Sequence, residues 1–120
     1  RSDETASLTE QQTPPIDIHP DHWAIVREIL RERVPQYDVW AFGSRVTGRS
    51  KPFSDLDLAI ISQEPLGLDV GATLREDFAE SDLPWKVDIV DWATTTDSFR
   101  RIIERDKVVI QKGVGTREGA

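Results

Sequence analysis

Residues 37–62 read YDVWAFGSRVTGRSKPFSDLDLAIIS, and this stretch decides the fold. YDVWAF, 37–42, is β-branched and aromatic and predicts a strand. SDLDLAIIS, 54–62, predicts another, alternating at first and wholly apolar after Leu58. The Gly-, Ser- and Arg-rich residues between them, 43–52, predict a loop or short helical turn. Two strands this close in sequence point to a hairpin-like pair.

Working outward, HPDHWAIVREILRERV, 19–34, sets Trp23, Val26, Ile29, Leu30 and Val34 at helical spacing with charges on the other face. Pro20 suits the start of that helix and Pro35 its stop. Downstream, GLDVGATLREDFAESDL, 67–83, predicts a second helix weakened by Gly71, and WKVDIVDW, 85–92, a third strand. TTTDSFRRIIERD, 94–106, predicts a helix with Phe99, Ile102 and Ile103 on one face and Thr96 or Asp97 as N-cap. KVVIQKG, 107–113, closes the pattern as a short strand. The expected class is α/β (α+β): a mixed β-sheet of about four strands with helices packed mainly on one side. The order of the strands is not legible from this pattern.

At 120 residues the chain holds one small domain, expected at 16–112. The polar, aperiodic residues 1–15 read as a disordered leader and 113–120 as a flexible tail. With 22 acidic residues against 15 Lys plus Arg the net charge is -7, which disfavours direct nucleic-acid binding through bulk charge. There is no cysteine, so neither a disulfide framework nor a Cys-based zinc site is possible. No apolar run approaches the ~20 residues of a membrane span, and no signal-peptide pattern opens the chain. A cytoplasmic location without membrane attachment is expected. His19 and His22 are too few for a zinc site and read as surface residues.

Three features carry chemistry. Alternate strand residues share a face, so Asp55 and Asp57 project together, their Cα atoms ~6.6–6.8 Å apart. Carboxylates at that spacing repel unless a cation lies between them, and Mg²⁺ suits such oxygen ligands. Alone, the pair more often marks a solvated strand face. Gly43 and Ser44, directly after an apolar strand, can form a turn that holds phosphate oxygens. Alone, they read as an ordinary turn. Arg45, Arg49 and Lys51 make this loop the most basic stretch of an acidic chain, as an anionic ligand needs. Finally, Asp88 lies among Val87, Ile89 and Val90 in what reads as a buried strand, where an ionised carboxylate is costly unless paired or metal-bound. Lys86, on the same face by alternation, is the alternative partner.

Taken together, GSRVTGRSKPFSDLDLAI, 43–60, resembles the signature of the DNA polymerase beta-like nucleotidyltransferase superfamily. That signature is a Gly-Gly or Gly-Ser pair, about ten residues, an Asp-x-Asp or Asp-x-Glu between apolar residues, and a third acid on a later strand. Here ten residues separate Ser44 from Asp55, and Asp88 matches the third acid. The resemblance runs from about Trp23 to Lys112. The short chain, with no attached helical domain, is similar to the minimal nucleotidyltransferases (MNT type), which pair with small all-helical HEPN-type proteins as antitoxin and toxin. It implies the nucleotidyltransferase fold and transfer of a nucleoside monophosphate, AMP from ATP, onto a hydroxyl of the HEPN partner. Asp55, Asp57 and Asp88 are then the catalytic and metal-binding acids of a two-Mg²⁺ site. Gly43 and Ser44 cradle the triphosphate with help from Arg45, and Asp88 positions or deprotonates the acceptor hydroxyl. Two other readings stay open: the same transfer onto a small-molecule alcohol, and a non-catalytic antitoxin that acts by complex formation.

Overall fold

A computed structural model describes residues 14–113. The expected leader, apart from Pro14 and Pro15, and the tail after Gly113 lie outside the described residues. The elements are α1 (Pro20–Arg33), β1 (Asp38–Phe42), the single turn α2 (Ser44–Thr47), β2 (Leu56–Ile61), α3 (Leu68–Glu80), β3 (Val87–Asp91), a 3-10 turn (Trp92–Thr94), α4 (Asp97–Asp106) and β4 (Val108–Gln111).

Local chemistry explains the helix ends. Pro20 opens α1 while the His19 Nδ1 accepts from the Asp21 backbone N–H at 3.0 Å. The Thr96 hydroxyl accepts from the Phe99 N–H and caps α4. Each cap satisfies a first-turn donor that the helix itself leaves unpaired.

The strands form one sheet in the order β3-β2-β1-β4. β1 and β2 are the expected antiparallel pair, and β1 also pairs antiparallel with β4. β2 and β3 run parallel, joined by the crossover that contains α3. Val39 and Ala41 of β1 and Leu56, Leu58 and Ile60 of β2 turn to one face. There α1 supplies Trp23, Val26 and Leu30, and α3 supplies Leu74 and Phe78. Burying one such Leu or Ile is worth about 1.5–3 kcal/mol, so this layer is the main core.

The opposite face carries Trp40, Phe42, Asp57, Ala59, Ile61, Asp88 and Val90 by alternation. Of the three apolar residues expected to face inward from α4, only Ile103 is buried, against Phe42 and Ala59. Phe99 meets Phe42 edge-on with ring centroids 5.7 Å apart, and Ile102 stays exposed. The described residues therefore cover this face only in part. β3 differs from its reading as a buried strand. It is the sheet edge, and all five of its residues are half-buried.

Candidate functional site

Asp57 and Asp88 are Cα partners in the parallel ladder of β2 and β3. Adjacent strands lie ~4.7–4.9 Å apart and paired residues share a face, so register alone sets the two carboxylates side by side. Asp57 is half-buried. Its burial, the neighbouring charges of Asp88 and Asp55, and a hydrogen bond that its protonated form can make with Asp88 push its pKa up to about 6. Asp55 is exposed and stands two residues earlier, just before β2. Lys86, the alternative partner for Asp88, is exposed and forms no ion pair with it among the described residues.

Gly43 links β1 to α2 with φ 87°, in the region that only glycine enters cheaply. A Cβ there would stand 2.3 Å from the Asp57 Oδ2. Glycine thus does two things: it turns the chain, and it lets the Asp57 carboxylate approach the backbone where a side chain would stand. Its carbonyl accepts from the N–H groups of Val46 and Thr47 and so starts the turn. Ser44 follows as the first residue of α2. Among the described residues its hydroxyl makes no hydrogen bond. Phe42, immediately before Gly43, is the antiparallel Cα partner of Asp57, so the Gly-Ser turn leaves β1 beside the acids.

Arg45 takes a different course from the nucleotide contact expected of it. It is 5% exposed and turns back under its own loop. Nε donates to the Ser54 carbonyl at 2.9 Å, Nη1 to the Asp17 carbonyl at 2.9 Å, and Nη2 to the carbonyls of Lys51 and Pro52 at 3.3 and 3.1 Å. The guanidinium carbon lies 4.5 Å from the centroid of the Trp85 ring. Four of its five N–H donors are thereby occupied. Arg49 and Lys51 remain exposed.

Two further residues support the site. Trp85 is buried and underlies Arg45. The Asp91 carboxylate, at the end of β3, accepts from the Ser62 hydroxyl and from the backbone N–H groups of Leu66 and Ala93, tying the start of the crossover and the 3-10 turn after β3 to that strand. His19 is exposed, and His22 packs edge-on to Trp85.

The donor set is hard oxygen. Among the described residues no three carboxylate or imidazole side chains gather as a ready-made metal group. A pair of carboxylates facing each other across the ladder suits Mg²⁺ nonetheless, because that ion usually takes one or two protein carboxylates and completes its shell with water and substrate phosphate. Among the described residues no helix is long and apolar enough to cross a membrane.

A model of the nucleotidyltransferase domain family matches residues 24–112. A relative from Haemophilus influenzae named "Probable protein adenylyltransferase MntA" is 56% identical over 103 residues, 86% of this chain and 90% of that protein. A solved toxin–antitoxin complex with AMP-PNP superposes with a TM-score of 0.64 at 21% identity, over 79% of this chain and 75% of that one. A complex of tri-AMPylated Shewanella oneidensis HEPN toxin with MNT antitoxin superposes at 0.56 and 22% identity, over 78% and 70%. At those identities the two structures show a shared fold.

Proposed function

The chain belongs to the nucleotidyltransferase domain family, and from that membership we propose that it transfers AMP from ATP to a hydroxyl of a HEPN-type toxin, acting as its antitoxin. The observation that carries this reading is the meeting of Asp57 and Asp88 on one face, with the Asp57 carboxylate packed against a glycine turn where a Cβ would collide with it. The relative named a protein adenylyltransferase supports AMP as the transferred group and a protein as acceptor. The solved complexes with AMP-PNP and with an AMPylated HEPN toxin support the donor and the partner. A cytoplasmic location fits a protein that draws on ATP.

Each residue has a task. Asp57, Asp88 and Asp55 would hold Mg²⁺ through carboxylate oxygens, and its charge would offset the burial and the mutual repulsion that raise the Asp57 pKa. When bound, Mg²⁺ supplies charge neutralisation on the α-phosphate and the departing pyrophosphate. Ser44, with its hydroxyl and the turn set by Gly43, binds the phosphate tail. Asp88 lies on the edge strand and accepts the proton of the incoming hydroxyl. The hydroxyl oxygen then bonds to the α-phosphorus, the α–β bridging bond breaks, and pyrophosphate leaves. The protein's contribution is position and electrostatics.

Intact-mass measurement of a co-expressed HEPN protein tests this. AMP added with the wild-type chain and absent with Asp57→Asn/Asp88→Asn is the expected result. An unmodified but tightly bound partner in both cases would identify an antitoxin acting by complex formation. Transfer only to small alcohols would move the acceptor away from protein.

A further inference from the structure

One side chain outside the acids reaches the segments that carry the proposed site: its bonds go to the loop that precedes Asp55 and its ring contact to the residue that leads into β3. Arg45 sits on α2, directly after Ser44. Its Nε holds the carbonyl of Ser54, the residue that immediately precedes Asp55. Its Nη2 holds the carbonyls of Lys51 and Pro52 in the same loop. Its planar face rests on Trp85, three residues before Asp88 on the segment that enters β3. The Leu56 N–H donates to the Lys86 carbonyl at 2.9 Å, which stitches the starts of β2 and β3 at the same level.

We propose that Arg45 is the positioning residue of this site, fixing the distance between the Ser44 turn, the Asp55 loop and the Asp88 strand. The proposal rests on the nucleotidyltransfer reading and revises one part of it, since Arg45 acts through the acids and not on the nucleotide. Chemistry selects arginine here. A guanidinium offers five donors in a rigid plane and stacks on an aromatic ring, whereas an ammonium offers three donors from a point and no plane. Residues 51–54 belong to no helix or strand, so without this hub the loop that delivers Asp55 has few interactions holding its carbonyls. Two bonds inside the loop, Lys51 N–H to the Ser54 hydroxyl at 2.7 Å and Ser54 N–H to the Lys51 carbonyl at 3.0 Å, shape it but do not attach it to α2.

The test compares wild type, Arg45→Lys, Trp85→Leu and Asp57→Asn, each confirmed folded by its melting curve. Two readouts are used: AMP transfer to the co-purified partner, and Mn²⁺ binding to the nucleotide-free protein, read from the free-ion paramagnetic resonance signal. For Arg45→Lys, kcat falls roughly 10–100-fold while KM for ATP stays within about threefold, as expected when position and not substrate binding is lost. Mn²⁺ affinity falls by about tenfold or more, the scale seen when an outer support of metal ligands is removed. Trp85→Leu shows the same split at smaller size. A raised KM with intact kcat would make Arg45 a direct phosphate contact and overturn the proposal. Wild-type kcat and Mn²⁺ affinity in folded Arg45→Lys would overturn it too. If Arg45→Lys does not fold, unchanged kcat and Mn²⁺ affinity in Trp85→Leu overturns it instead. The functional reading fails separately, if wild type transfers no AMP or if Asp57→Asn transfers as well as wild type.

Discussion

Asp57 of β2 and Asp88 of β3 stand opposite one another across a parallel ladder, on the face of the sheet that α4 leaves partly open. Two carboxylates so placed make the folded chain respond to protons. The folded-state pKa of Asp57, about 6, lies above that of an ordinary carboxylate, so the folded chain holds this proton more tightly than the unfolded one. The resulting stabilisation is fully present below about pH 4 and is lost as the pH rises through about 6. Metal-free protein should therefore lose stability relative to Asp57→Asn between about pH 4 and 7. Urea midpoints of both proteins in chelator, taken across that range, check this. A constant difference between them contradicts it.

Gly43→Ala should disable the site more than the fold. An L-residue at φ 87°, ψ -160° costs about 1–3 kcal/mol, which shows as a modest loss of melting temperature. The added methyl would also meet the Asp57 Oδ2 at 2.3 Å, so the carboxylate must move. Relieving that contact needs a shift of about 1 Å, which costs roughly 100-fold in rate. Transfer assays and melting curves on one preparation separate the two effects.

Leu74 and Leu68 are both leucines of α3, but Leu74 is fully buried and Leu68 is 90% exposed. Leu74→Ala should cost about 2–5 kcal/mol, and Leu68→Ala less than about 0.5 kcal/mol. Chemical denaturation of both variants measures the contrast. Equal losses would mean that α3 does not pack through Leu74.

Asp91→Ala removes the acceptor for the Leu66 and Ala93 N–H groups and the Ser62 hydroxyl. Donors left without a partner cost about 1–3 kcal/mol each where water cannot reach them. The site is half-buried, so a loss of about 2 kcal/mol is expected, together with faster amide exchange at Leu66 and Ala93. Protected amides at both positions would show that the clamp is dispensable.

Much of this was legible in the sequence, for physical reasons. Periodicity marked the helices and strands because a core forces apolar residues to recur with the geometry of each element. The closeness of 37–42 to 54–62 announced the antiparallel pair, and the spacing of Gly43, Ser44, Asp55 and Asp57 carried the resemblance to the nucleotidyltransferase family to which the chain belongs. Arg45 was misplaced because its partners are main-chain carbonyls, which leave no trace in residue identity. From sequence it is a cation in a loop, and only the folded chain turns it inward onto Trp85. Asp88 read as buried because an apolar run looks alike in a central strand and at an edge. Its place at the border follows from strand order, which periodicity does not encode.

The parallel crossing from β2 to β3 has a consequence for how such a chain can lengthen. Asp88 meets Asp57 through register alone, and everything between the strands serves to bring β3 back to the same level. A residue inserted before α3, in 63–67, enlarges the excursion and leaves the pair facing. A residue inserted between Val87 and Asp88 sends the carboxylate to the α3 side, since one step along a strand reverses every side chain that follows. The connection can drift in length over generations, while the five residues of β3 admit no such freedom.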